Sequence, residues 1–309
     1  EDIFFKAKKI KKQKLKTNIK FTDILDSLIV NDQLYISVAR NVDNCEKLFI
    51  YYSTINDTNE NLNFEVLKKF EECADTIGAG RMQPLNFKSE KGLLISTGRR
   101  GEGGDRDDMG NFAQDDKSIF GKILFVNLNT SDYFIFSKGL RNTQGLFVYE
   151  NKILSTDHGP KGGDELNEIL FDQNYGWPIS SYGEHYTKDD KRDKLKYNAA
   201  PLHKSHKEYG FVEPIKYYVP SIGISEIEKI PKKFNKEFDN DFFIASMGNN
   251  KEEGDLSIHH IKLDKELKKI LKEDVIVIGE RIRDLKYIES LNKVILFIEN
   301  SPGIGVLSF

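Results

Sequence analysis

The residues most able to do chemistry lie in Asp157 to Pro178, DHGPKGGDELNEILFDQNYGWP. This stretch holds four of the 23 glycines, two of the eight prolines and the only tryptophan. Gly and Pro at 159–163 break any helix. A sharp, irregular loop with adjacent carboxylates and exposed carbonyls suits a hard cation such as Ca2+. A long surface loop with a turn at each end reads the same segment as well. Two arginines, Arg281 and Arg283, share one face of a strand by alternation. Facing a channel, they make an anion site, each charge-assisted bond worth roughly 1.5–3 kcal/mol. As ion-paired structural residues they fit equally. Arg141, Asn142 and Gln144 lie between a strand end and a strand start.

Other candidates read as surface or structure. Asp105, Asp107 and Asp108 sit in a glycine-rich stretch, GRRGEGGDRDDMGN, that lacks the GK[ST] ending of a phosphate loop. His259 and His260 are neighbours on a strand, face opposite sides and make a poor metal pair. His203 and His206 lie in a lysine-rich polar stretch and read as surface. Cys45 and Cys73 form no CxxC pair, which excludes a cysteine-rich zinc site. They are compatible with one disulfide or with two free thiols.

The elements that must position these residues are strands. Short runs rich in β-branched and aromatic residues, such as LYISVA (34–39), KLFIYYSTI (47–55), GKILFVNL (121–128), DFFIASM (241–247) and KVILFIE (293–299), recur between polar turns. About fourteen such runs imply an all-β protein. At about 40–50 residues per four-stranded blade, 309 residues predict a six-bladed β-propeller. The chain reads as a single domain, 1–309. Its residues 1–20, with eight lysines, form a basic N-terminal arm or a closing strand. A net charge of −3 gives no case for nucleic acid, and no apolar run has the length of a membrane span. The opening EDIFFKAKK has no signal-peptide core.

AQDDKSIFGKI (113–123), GLRNTQG (139–145), DHGPKGGDELNEI…NYGWP (157–178), EPIKYYVPSIGIS (213–225) and RIRDL (281–285) together resemble the glucose/sorbosone dehydrogenase family. Its members are six-bladed propellers that use pyrroloquinoline quinone (PQQ) and Ca2+. The resemblance runs from about residue 24 to 309. It implies PQQ-dependent oxidation of an aldose at C1 in the periplasm or outside the cell. It implies that Arg141, Asn142, Gln144, Arg281 and Arg283 surround the quinone. The Gly159 and Pro160 carbonyls would hold one Ca2+, and those of Glu165 and Tyr175 a second.

This chain departs from the family at the catalytic histidine, four residues before the arginine of HxGGR. Here the segment is IGAGR, and Ile77 stands in that place. Losing a general base costs about 10²–10⁴-fold in rate, so Ile77→His is expected to raise any oxidation. Arg99 replaces an acidic residue, PSIGISEI differs from the family segment, and Lys251 is the nearest lysine to a position that helps hold the quinone in some members. The alternative implied is a catalytically inactive, calcium-stabilised propeller acting as a binding or structural module. Calcium-dependent hydrolysis of a lactone or ester is a third reading.

Overall fold

The apolar runs become antiparallel strands that stack face to face, because each sheet must bury one side against its neighbour. The computed structural model describes residues 4–8, 16–55, 61–100, 112–184, 205–299 and 303–308. The strands are β1 (Phe4–Lys8), β2 (Lys16–Thr17), β3 (Asp23–Val30), β4 (Gln33–Val42), β5 (Cys45–Thr54), β6 (Asn61–Leu62), β7 (Glu65–Ala74) and β8 (Ile77–Phe87). They continue with β9 (Glu90–Arg100), β10 (Lys122–Asn127), β11 (Tyr133–Lys138), β12 (Thr143–Tyr149), β13 (Lys152–Asp157), β14 (Asp164–Glu168), β15 (Gln173–Asn174) and β16 (Lys216–Tyr218). The last are β17 (Ile224–Ile230), β18 (Asp241–Ser246), β19 (Ser257–Leu263), β20 (Ile270–Val277), β21 (Ile282–Ile288), β22 (Lys293–Ile298) and β23 (Gly303–Ser308).

These strands build an all-β propeller with five blades in a ring, not the expected six. Blade 1 is β3-β4-β5-β7, blade 2 is β8-β9-β10-β11-β15, blade 3 is β12-β13-β14-β16, blade 4 is β17-β18-β19-β20 and blade 5 is β21-β22-β23-β1. The count is lower because blades here consume more chain than 40–50 residues: blade 2 runs from 77 to 138 and takes β15 at 173–174 as well, and blade 3 has strands from 143 to 218. Strand β1 pairs antiparallel with β23, from Phe4 opposite Ser308 to Lys8 opposite Ile304. Among the described residues no helix is long and apolar enough to cross a membrane.

The core is a set of layers between blades. Leu48, Ile50 and Phe70 of blade 1 interleave with Met82, Leu93 and Leu124 of blade 2. Blades 2 and 3, 3 and 4, and 4 and 5 share similar layers. The far face of blade 1 is covered instead by the segment around β2 and β6, through Ile19, Phe21, Leu62 and Phe64. Cys45 and Cys73 form a disulfide across blade 1.

Candidate functional site

The five inner strands β3, β8, β12, β17 and β21 start around one cavity of about 550 Å3. Each blade contributes: Ile24 and Leu25, Gly78 and Ala79, Asn142 and Gln144, Gly223, and Arg281 and Arg283. The IGAGR segment is bent to fit there. Its pairing with β9 slips twice between Ile77 and Met82, and Ala79 and Gly80 both have positive φ. A bulge of this kind re-aims side chains. A Cβ on Gly80 would stand 2.6 Å from Leu25, so the turn requires glycine.

Four of the five residues predicted to surround a quinone come together on this wall. Arg281, just before β21, and Arg283 within it both line the cavity, as alternation requires. Both grip Glu299: Arg281 Nε donates to Oε2 at 2.8 Å and Arg283 Nη2 to Oε1 at 2.5 Å. Burial works against the Glu299 carboxylate, yet these two bonds hold it below the usual range. Arg283 Nη1 also donates to Gln144 Oε1 at 3.3 Å, and Gln144 Nε2 to Asn142 Oδ1 at 3.1 Å. Three guanidinium groups, with Arg81, and two amides line the cavity, and no Asp or Glu does so among the described residues. That donor set fits a flat ligand carrying several carboxylates, such as PQQ.

Arg141 is placed differently. It is buried off the cavity wall, its guanidinium over the Trp177 ring at 5.4 Å. Its Nη1 donates to the carbonyls of Gly159 at 2.8 Å and His158 at 3.2 Å. The Gly159 oxygen expected to bind Ca2+ thus accepts from the Arg141 guanidinium, a positive charge beside one of the two expected calcium ligands. The loop itself is pinned from behind. Asp164 accepts from Gly159 N at 3.0 Å, Ser221 Oγ at 2.8 Å and Ile224 N at 2.9 Å. The Asp157 carboxyl receives the backbone N–H groups of Arg141 and Asn142 at 2.9 and 2.8 Å. Burial, reinforced by Glu165, pushes it up to about 7. These bonds hold the neighbouring His158 on the cavity wall.

Ile77 does not face the cavity. It is 4% exposed and belongs to the layer between blades 1 and 2. An Ile77→His exchange would bury an imidazole there, so the expected gain of a base is corrected. Glu165 and Tyr175 have buried side chains committed to other partners. The Glu165 carboxylate pairs with His206 Nε2 at 2.8 Å, and the Tyr175 hydroxyl donates to the Glu168 carbonyl at 2.5 Å. His206, expected at the surface, is 2% exposed and also meets Ser180 Oγ at 2.6 Å. Both ring nitrogens are satisfied by segments remote in sequence, which is why a polar context misled. His259 and His260 do turn apart, to Glu273 and Asp241 respectively. Asp105, Asp107, Asp108 and His203 lie outside the described residues.

Arg81, noted in the sequence only as the end of a motif, is the hub of the site. Its Nη1 lies 2.6 Å from Asp284, 3.4 Å from Glu226 and 3.5 Å from Asp26. Its Nε donates to the Gln144 carbonyl at 2.7 Å and Nη2 to the Arg283 carbonyl at 3.0 Å. One side chain on β8 therefore holds the inner strands of the other four blades.

A family model described as Glucose / Sorbosone dehydrogenase matches residues 28–304. The uncharacterized protein slr1608 of Synechocystis is 30% identical over 224 residues, 65% of this chain and 49% of that protein. Aldose sugar dehydrogenase YliI of Escherichia coli is 42% identical over 55 residues, 17% of this chain and 15% of that one. The matched part spans about half or less of these relatives. Among solved structures, the apo form of the soluble aldose sugar dehydrogenase from Escherichia coli superposes with a TM-score of 0.71 at 20% identity, covering 90% of this chain and 78% of that one. The PQQ-bound aldose sugar dehydrogenase from Streptomyces coelicolor gives a TM-score of 0.61 at 18% identity, covering 90% and 75%. At these identities the likeness concerns the fold.

Proposed function

The chain belongs to the glucose/sorbosone dehydrogenase family, and from that premise we propose that it is an oxidoreductase that oxidises an aldose sugar with PQQ. The observation that carries this reading is the axial cavity lined by Arg81, Arg281, Arg283, Asn142 and Gln144 without a carboxylate among the described residues. When bound, PQQ supplies the two-electron oxidant. Arg281 and Arg283 would hold its carboxylates, with Glu299 fixing both guanidinium groups in place. Asn142 and Gln144 would orient its polar edge. The Ile24 and Leu25 side chains supply an apolar wall beside these donors. Such pre-set donors lower the ordering cost of binding.

Calcium is proposed only at the Glu165 and Tyr175 carbonyls, supported by their ten-residue spacing in the family loop. No chemistry is assigned to a cation at Gly159. Export to the periplasm or beyond is supported by the Cys45–Cys73 disulfide, a bond that persists in oxidising compartments. A second reading, a binding propeller without oxidation, is favoured by Ile77, which leaves the family's histidine position apolar and inside the core.

The test is a calorimetric titration of PQQ into the protein and into Arg283→Gln, with calcium or with chelator, followed by dye reduction across aldoses. The wild type is expected to bind and to reduce dye. Arg283→Gln is expected to weaken binding about 10–100-fold, the worth of one charge-assisted pair. Chelation is expected to lower the melting temperature while leaving quinone binding in place. Failure of the wild type to bind at any calcium level would leave the binding-module reading.

A further inference from the structure

At the end of blades 1 and 2 away from the axial cavity lie two hollows of about 380 and 270 Å3. Gln33, Tyr35 and Leu128 line both, so the two are halves of one groove. Val30, at the end of β3, lines the groove, whereas Ile24 and Leu25, at its start, line the axial cavity. At about 3.3 Å per strand residue, Ile24 and Val30 stand roughly 20 Å apart. Tight turns build the rim. Val30 pairs with Gln33 across a two-residue turn in which Asn31 has positive φ. On blade 2, Asn127 Oδ1 accepts from Asn129 N at 2.8 Å and Thr130 N at 3.1 Å, which fixes the turn carrying Asn129.

The wall shared by the two hollows carries polar groups that the fold leaves unpaired. Tyr35 is 7% exposed, and its hydroxyl has no hydrogen-bond partner among the described residues. Burial alone raises that hydroxyl above the ordinary phenol range. The buried Gln33 Oε1 accepts no hydrogen bond either, while its Nε2 donates to Thr54 Oγ1 at 2.9 Å. Native folds seldom bury such groups without a partner. The Tyr52 ring lies 6.3 Å from that of Tyr35 and is anchored by its hydroxyl, which donates to Glu65 at 2.7 Å. It gives the groove an aromatic face, and Pro84 and Leu128 give it apolar surface. Lys91 is the one charged side chain that lines it among the described residues.

We propose that this groove is a saccharide-binding site, separate from the axial cavity. A sugar presents hydroxyl groups, each both donor and acceptor, and apolar C–H faces. Its hydroxyls donate to Gln33 Oε1 and share hydrogen bonds with the Tyr35 hydroxyl, and its C–H faces lie on Tyr52 and Leu128. The nearly uncharged lining selects a neutral sugar. A phosphate or carboxylate ligand calls for convergent cations, as on the axial wall. The assignment needs no quinone and is independent of whether the axial cavity oxidises anything.

The test is an amide NMR titration of the full chain with glucose, galactose, maltotetraose, cellotetraose and chitotriose. At millimolar concentration at least one of these should shift the amides of Gln33, Tyr35, Asn86 and Asn129. Tyr35→Phe removes one oxygen and no bond within the protein, so it keeps the fold. It should weaken that binding about 5–10-fold, the worth of one hydrogen bond, and Gln33→Leu should do the same. If none of the sugars shifts these amides, the proposal is wrong. Shifts confined to Asn142, Gln144 and their neighbours at the axial cavity overturn it as well. So does binding in the groove that both variants leave unchanged, because the unpaired groups would then play no part.

Discussion

Two arginine networks border the same cavity, and they are built in opposite proportions. On the wall, Arg281 and Arg283 share the single carboxylate of Glu299, and the Arg283 side chain is 43% exposed. On the axis, Arg81 alone faces Asp26, Glu226 and Asp284 and its side chain is 7% exposed. The wall therefore offers spare positive charge to an incoming anion, with water screening the rest. The axis has spare negative charge and little water, so burial raises the proton affinity of Asp26 and Glu226. Residue type does not decide the role; the ratio of partners and the exposure do.

The sharpest way to break this contrast is Arg81→Met. Removing the cation leaves three carboxylates buried together and should cost about 3–5 kcal/mol at pH 8. The loss should shrink toward pH 5, where the carboxylates take up protons, as read from denaturant midpoints. An equal loss at both pH values would show that Arg81 acts by packing alone. The wild type should follow the same sign. Folded Asp26 releases its proton at about 6, above the ordinary 3.8, and folded Glu226 higher than its ordinary value. The folded state thus holds protons that the unfolded chain has lost, and stability should fall as pH rises from about 4 through 6 and beyond.

An intermediate effect is expected from Ile77→His, which sharpens the contrast by testing a third environment. An imidazole in the layer with Leu48, Phe70 and Met82 should cost roughly 2–4 kcal/mol and add no oxidation. A rate gain with unchanged melting temperature would return this position to the cavity. The smallest effect belongs to Glu299→Gln on the exposed wall, less than about 1 kcal/mol in stability. It should weaken PQQ binding, because Glu299 holds both guanidinium groups in place; tighter binding would mean that Glu299 mainly competes with the quinone for them.

Much of the architecture was legible because strands announce themselves locally. KLFIYYSTI overlaps β5, DFFIASM overlaps β18, and KVILFIE overlaps β22. The blade count was not legible, since it depends on how much chain each blade spends on connections. The wall pair, Arg281 and Arg283, followed from alternation along one strand. Its partner Glu299 did not, lying one strand away. The axial cluster was hidden for the same reason on a larger scale: Asp26, Arg81, Glu226 and Asp284 are joined only when four blades close. Arg141 was marked by its motif, but its burial against Trp177 is a tertiary outcome.

The pairing of β1 with β23 sets a clock on biosynthesis. A ribosome makes Phe4–Lys8 roughly 300 residues before their partner at Gly303–Ser308, a delay of tens of seconds at about 5–20 residues per second. Throughout that interval the nascent chain carries FFKAK without its native neighbour, and its short length and two lysines guard it against pairing with other chains. The same latch that completes blade 5 makes its closure wait on Gly303–Ser308.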